Sequence, residues 1–188
     1  MSTKALIGIL LAGTVGIVIF LFVHLSGTSN KITIGTTKAS ACDAKHGDDC
    51  LPDVKYVDTT GKAYTLASLE GKVVIVNFWA TWCKPCQAEI PSLSKIYDSY
   101  KDKGVLILGV MADNNVPDAE LLNFQSDHEM SFPILRANSD VMVAFSYPQA
   151  LPTTFVYDRG HRMVGRPHVG AISPSDITAT LDELVAQK

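Results

Sequence analysis

Two cysteines separated by two residues, Cys83 and Cys86, carry the strongest chemical signal in the sequence. They follow an apolar, β-branched run, residues 73–78, that predicts a buried strand, and they fall where a helix is expected to begin. A helix N-terminus has unpaired N–H groups and a partial positive charge, so it stabilises a thiolate at Cys83. In such settings the thiol pKa drops from about 8.5 to roughly 3.5–7.5, which predicts that Cys83 is a nucleophile.

Cys86 follows one helical turn later, close enough to attack a mixed disulfide formed at Cys83, and it is the predicted resolving thiol. Pro85 suits the first helical turn because it has no N–H to leave unpaired, and Lys84 adds a positive charge. Two alternatives use the same cysteines: a structural disulfide, or half of a zinc site. A zinc ribbon needs a second C-x-x-C pair, which the sequence lacks.

The segment from Asn77 to Pro91 contains the run W-C-x-P-C-x-x-E-x-P and resembles the active-site segment of the thioredoxin superfamily. More narrowly, residues 53–188 resemble the membrane-anchored TlpA/ResA-like thiol:disulfide oxidoreductases. The resemblance implies an α/β thioredoxin fold, with a central mixed sheet flanked by helices, that uses no cofactor. The residue pattern adds an N-terminal β-hairpin in front of this fold. The resemblance also implies substrate contacts from four residues: Trp82, Lys84, Pro85 and Leu151.

The stretch from Ala150 to Asp158 resembles the cis-proline strand of the same superfamily. The resemblance implies that the Leu151–Pro152 bond is cis and that Pro152 lies against the sulfur of Cys83 and takes part in catalysis. Only X–Pro bonds adopt the cis form at low cost, about 0.5–1 kcal/mol against roughly 2.5–4 kcal/mol elsewhere. The backbone at Leu151 is then expected to pair with an incoming peptide. The alternative is an ordinary proline that opens a strand.

Typical thioredoxins bury an acid at the position that Asn77 occupies here, and an amide cannot accept the proton. Glu89 is the candidate replacement, because it lies three residues after Cys86 near the same helix face and because the TlpA/ResA-like pattern has an acid there. Partial burial would raise its pKa and suit it to carry a proton to and from Cys86. The alternative is an exposed glutamate that the helix dipole stabilises.

The remaining patterns predict the order of elements around this centre. Strand–helix–strand order predicts parallel pairing with a right-handed crossover, and His161 and His168 are predicted to be solvated surface residues. The predicted elements are a hairpin over 54–66, a helix after Cys86 that runs to about Lys103 and is closed by Gly104, a strand over 105–111, a helix over 117–127 with Leu121, Leu122 and Phe124 inward, a short helix over 139–145, an edge strand over 162–167 and a last helix over 173–184. Residues 67–72 resemble the short helical turn that precedes the central strand in TlpA/ResA-like domains.

Residues 5–25 contain no Asp, Glu, Lys or Arg and span about 30 Å as a helix, enough to cross a bilayer. This stretch exceeds the roughly 7–15 apolar residues of a cleaved signal peptide, so it predicts a transmembrane signal anchor after a cytoplasmic tail of residues 1–4. Cleavage near the small residues 26–28 is the alternative. Residues 26–52 are expected to be a flexible linker that contains a cysteine loop.

All four cysteines follow the apolar stretch, which fits an oxidising compartment. Together with the resemblance, this implies a location at a bacterial inner membrane, with the catalytic domain on the periplasmic, extracytoplasmic side. The net charge of −3 provides no basic surface, which argues against nucleic acid as a partner.

A second cysteine pair, Cys42 and Cys50, lies in the linker, eight residues apart. The plain interpretation is a structural disulfide. A second is an auxiliary redox pair that passes electrons to the main pair. A third is a copper or zinc site in which Cys42, His46 and Cys50 are the soft ligands.

These patterns together predict a membrane-tethered thiol:disulfide oxidoreductase that reduces disulfides in partner proteins through Cys83 and Cys86. The resemblance implies a role such as cytochrome c maturation, with apocytochrome c as a candidate substrate and an upstream membrane thiol reductant. An oxidase or isomerase would carry the same motif, because direction depends on the reduction potential. The alternatives from other classes are a copper-delivery module and a redox-inert adaptor.

Overall fold

The computed structural model describes Cys42 and residues 49–187. The predicted membrane anchor (5–25), most of the linker and His46 lie outside these residues. Within the part that is described, no helix is both long enough and apolar enough to cross a bilayer.

A five-stranded mixed sheet in the order β5-β4-β3-β6-β7 forms the centre, and a separate two-stranded hairpin, β1-β2, precedes it. Strands β3, β4 and β5 are parallel, whereas β6 and β7 run antiparallel to their neighbours. The strands are β1 Tyr56–Val57, β2 Ala63–Tyr64, β3 Val73–Trp79, β4 Val105–Met111, β5 Ile134–Arg136, β6 Thr153–Tyr157 and β7 His168–Val169. The helices are α1 Leu66–Leu69, α2 Lys84–Tyr100, α3 Asp118–Asp127, α4 Ser139–Ala144 and α5 Pro174–Ala186, and a 3-10 turn covers Lys101–Lys103.

Strand β3 is buried along its whole length because both faces of the sheet are covered. Alternate side chains point to opposite faces. Val73, Ile75 and Trp79 face a core that helices α2 and α5 complete, while Val74, Val76 and Phe78 face a second core on the other side. The predicted continuous apolar strand is therefore correct, and it runs directly into the cysteine pair.

Helix α2 starts directly after the first cysteine, as the sequence predicts, but it ends at Tyr100, three residues before the predicted end at Lys103. Cys83 is its N-cap, Pro85 lies in its first turn, and Gly104 closes the 3-10 turn that follows it, with a left-handed φ of 87° that favours glycine. The crossover from β3 through α2 to the parallel strand β4 places the helix over the sheet, with Ile90 and Leu93 fully buried beneath it.

Three predictions about the edges of the domain need revision. The predicted edge strand over 162–167 is wrong: β7 is His168–Val169, and the earlier segment makes only isolated bridges, one of them from Arg162 to Cys50. Leu122 does not face inward but is 64% exposed, because α3 buries a single stripe and the next residue turns away by about 100°. Packing also starts earlier than residue 53, since Leu51 lies in the second core.

Candidate active site

Cys83 and Cys86 are joined in a disulfide, so the structure represents the oxidised form. The backbone N–H of Cys86 donates to the Sγ of Cys83 at 3.3 Å, and the N–H of Gln87 is bonded to the Cys83 carbonyl. Both cysteines are buried, but Cys83 is the more accessible one, at 4% against 0% for Cys86. Once reduced, the sulfur at residue 83 faces a helix N-terminus that favours the thiolate, whereas the sulfur at residue 86 lies inside.

The residues that the resemblance implies for substrate contact either adjoin the disulfide in the sequence or lie at the same edge of the sheet. Trp82 is 67% exposed, although an indole is mostly buried in folded proteins, and Lys84 and Pro85 are exposed beside it. The Leu151–Pro152 bond is cis. Since the next residue, Thr153, pairs with Phe78 near the end of β3, this bond lies at the same edge of the sheet as the cysteines.

Glu89 is buried under α2 rather than exposed, with 4% of its surface accessible. Its two carboxylate oxygens accept one hydrogen bond each at 2.9 Å, from the side-chain amide of Asn77 and from the backbone N–H of Ile172. Burial raises the pKa of the Glu89 carboxyl above its ordinary value, although these two hydrogen bonds and the charge of His168 act in the opposite direction. A buried carboxyl with a raised pKa is a candidate proton carrier beside Cys86.

Asn77 connects this carboxylate to the sheet. Its side-chain amide also donates to the hydroxyl of Thr154 at 3.0 Å, and its Oδ1 has no hydrogen-bond partner among the residues described. Sequence reasoning identified the replacement of an acid by Asn77, but it missed Thr154 and Ile172. No sequence motif marks either residue, because their roles follow from strand register and from the loop before α5.

The second pair, Cys42 and Cys50, also forms a disulfide. It lies at the end of β6 opposite to the active site, because Cys50 bridges to Arg162 beyond that end and the N–H of Cys42 bonds to the carbonyl of Gly160. The length of β6, about 16 Å, separates this end of the sheet from the one that carries Cys83. Direct exchange between the two pairs of one molecule is therefore excluded in this arrangement.

The predicted metal ligand His46 lies outside the described residues. Among Cys42 and residues 49–187, no three His, Cys, Asp or Glu side chains are grouped so as to hold a metal ion.

Three features together define a thioredoxin-like domain. They are a mixed β-sheet, a C-x-x-C disulfide at the N-terminus of the helix that follows the central strand, and a cis-proline at the same edge of the sheet. The chain belongs to the AhpC/TSA family, whose profile matches residues 48–164.

Named relatives share the same segment. The chain is 35% identical over 113 residues to "Thiol-disulfide oxidoreductase ResA" of Bacillus thuringiensis (strain Al Hakam), a match that covers 60% of this chain and 64% of the relative. It thus spans just under two thirds of that relative's length. A protein of the same name from Geobacillus kaustophilus (strain HTA426) is 33% identical over 133 residues, which cover 71% of this chain and 75% of the relative.

A solved structure has a similar fold. The crystal structure of a thiol:disulfide interchange protein from Chlorobium tepidum TLS superimposes with a TM-score of 0.66 at 29% identity, covering 77% of this chain and 99% of that one.

Proposed function

We propose that this protein is a thiol:disulfide oxidoreductase that reduces disulfides in partner proteins. The observation that carries the proposal is the Cys83–Cys86 disulfide at the start of α2, with the Cys86 N–H aimed at the Cys83 sulfur. The printed names of the ResA relatives describe this activity for those proteins and support it here.

The reduced protein reacts in two exchanges. The Cys83 thiolate attacks one sulfur of the partner disulfide, and the other sulfur leaves as a thiolate. Cys86 then loses its proton to Glu89 and attacks the Cys83 sulfur, which releases the second partner sulfur. The partner gains two electrons and becomes a dithiol, and Cys83 and Cys86 end as the disulfide seen in the structure. A dithiol donor must then reduce this disulfide before the next cycle.

The exposed Trp82 and the backbone at Leu151 flank the reacting sulfur and form the surface on which a partner peptide lies. Lys84 and Pro85 are exposed beside Trp82, so the contact surface consists of apolar rings and one cation. It is an open surface and not an enclosed pocket. A protein substrate fits such an open surface better than a small molecule, which prefers a concave site.

Trapping of the mixed disulfide tests this function. Cys86→Ser removes the resolving thiol, so the variant should accumulate a covalent adduct with a disulfide substrate such as insulin, whereas Cys83→Ser should form none. The double variant Cys42→Ser/Cys50→Ser is the matched control, and it should reduce insulin at the wild-type rate. Insulin reduction that survives in Cys83→Ser would contradict the proposal.

We further infer that the domain works outside the cytosol, tethered to a bacterial inner membrane by residues 5–25. The uncharged length of that segment supports the tether, and a disulfide outside the redox motif, Cys42–Cys50, supports an oxidising compartment. Protease added to spheroplasts should digest the domain, and alkaline washing should leave it in the membrane. Protection from protease would contradict the location.

Within that compartment, we propose that this domain reduces cytochrome c precursors. A membrane thiol reductant supplies the electrons. This role requires a reducing active site. A reduction potential near that of thioredoxin, about −270 mV, supports it, whereas a value near about −120 mV indicates an oxidase.

A further inference from the structure

A row of polar side chains crosses the sheet beside Glu89. Asn77 on β3 pairs with Thr154 on β6, and Thr154 pairs with His168 on β7. Directly paired residues point to the same face of a sheet. Asn77 faces Glu89, to which it is bonded, so the side chain of His168 lies on the same face, at the exposed edge strand.

The row leads from the buried centre to solvent. Asn77 and Thr154 are almost completely buried, whereas His168 is exposed. A nitrogen of the His168 ring, Nε2, lies 3.3 Å from the carbonyl oxygen of Ala171, an acceptor, so Nε2 is the donor in that bond. The next residue, Ile172, provides the N–H bonded to Glu89. The imidazole is thus held against the turn that completes the carboxylate site.

The groups around Glu89 come from five elements. Cys86 lies one turn before it on α2, the strands β3 and β6 provide the uncharged Asn77 and Thr154, and the loop before α5 provides the N–H of Ile172. His168 on β7 is the charged side chain whose field reaches the carboxylate. A cation at the solvent end of the row favours the ionised form of the buried acid.

We propose that His168 is the solvent-side charge that sets when Glu89 releases its proton, and that it is therefore a positioning residue for the Cys86 step. Because a positive charge at residue 168 favours the Glu89 carboxylate, it promotes release of the proton that the Glu89 carboxyl has taken from Cys86. The link to Cys86 rests on the function proposed above.

Titration of Glu89 in the oxidised, full-length protein tests the coupling directly. The carboxyl carbon of glutamate is labelled with ¹³C, and the Glu89 signal is identified by its loss in Glu89→Gln. His168→Gln keeps a donor for the Ala171 carbonyl but removes the charge, so the Glu89 midpoint should move upward by roughly half a pH unit. The shift is below the 1–3 units of a close buried pair because His168 is exposed. His168→Lys keeps the charge and should leave the midpoint at or below the wild-type value.

His128→Gln, which removes another histidine, is the matched control and should not change the midpoint. In the wild type, added salt should also raise it, since exposed charges are screened. An unchanged midpoint in His168→Gln, or an equal upward shift in His168→Lys, would overturn the inference. These results do not depend on activity. The pH profile of Cys86 attack on a preformed mixed disulfide tests the proposed function separately.

Discussion

Replacing the second disulfide in Cys42→Ser/Cys50→Ser should destabilise the domain without impairing disulfide exchange. The bond closes a loop with a sequence separation of 8, which the chain-entropy model values at roughly 2.5 kcal/mol. No larger loss of unfolding free energy is expected, because other contacts still hold the segment once the disulfide is removed. Leu51 N–H still bonds to His161 and Met163 N–H to Asp49, at 2.8 and 2.7 Å, so the segment keeps its place beside the sheet.

Urea unfolding followed by tryptophan fluorescence measures the change. Both proteins carry Cys83→Ser/Cys86→Ser, so that only one disulfide differs between them. The loss should appear as a midpoint shift at an unchanged slope, and in thermal unfolding as a decrease of roughly 5–10 °C for a domain of this size. A change below about 0.5 kcal/mol would refute a structural role for the bond. The Cys42→Ser/Cys50→Ser protein that retains Cys83 and Cys86 should reduce insulin at the wild-type rate. A slower rate would refute the independence of the second disulfide from the active site.

Three further predictions concern the core around the site. Since burial raises the pKa of Glu89, that group stabilises the fold fully in acid and loses its contribution as pH rises through the folded-state value. Glu89→Gln does not titrate, so its free energy of unfolding relative to wild type should increase from about pH 4 to about pH 8. Asn77→Asp places a second carboxyl where 2.9 Å now separates the amide from Glu89, so it should destabilise the fold at neutral pH and recover in acid. Gly109→Ala would bring a Cβ within 2.7 Å of the Phe132 ring and should cost about 1–3 kcal/mol.

Each of these has a clear contrary outcome. A difference between Glu89→Gln and wild type that stays constant with pH would mean that the carboxyl titrates normally. An Asn77→Asp variant that is equally stable at both pH values would show that the two side chains do not interact. A Gly109→Ala variant with native stability would place Phe132 elsewhere. Urea unfolding at each pH provides all three measurements.

The sequence predicts the centre of the fold better than its edges. The run before Cys83 and the period of α2 are strong signals, because burial of a strand on both faces and of one helix stripe constrains residue type at every position. The strand β7 carried no such signal. His168 and Val169 are both exposed, so their pairing with β6 depends on register rather than on burial.

The same reason explains what sequence reasoning missed at the site. Glu89 was found because its spacing from Cys86 follows helix geometry. Ile172 contributes only a backbone N–H, which any residue would provide, and Thr154 reaches Asn77 only through the pairing of β3 with β6. Contacts of this kind exist only once the strands have been ordered.

The central claim is that Cys83, once reduced, is held as a thiolate at the start of α2. Alkylation of the reduced Cys42→Ser/Cys50→Ser/Cys86→Ser protein by iodoacetamide over a pH series measures this directly. The account predicts a midpoint well below that of free cysteine, about 8.5. A midpoint at the free-cysteine value would contradict it.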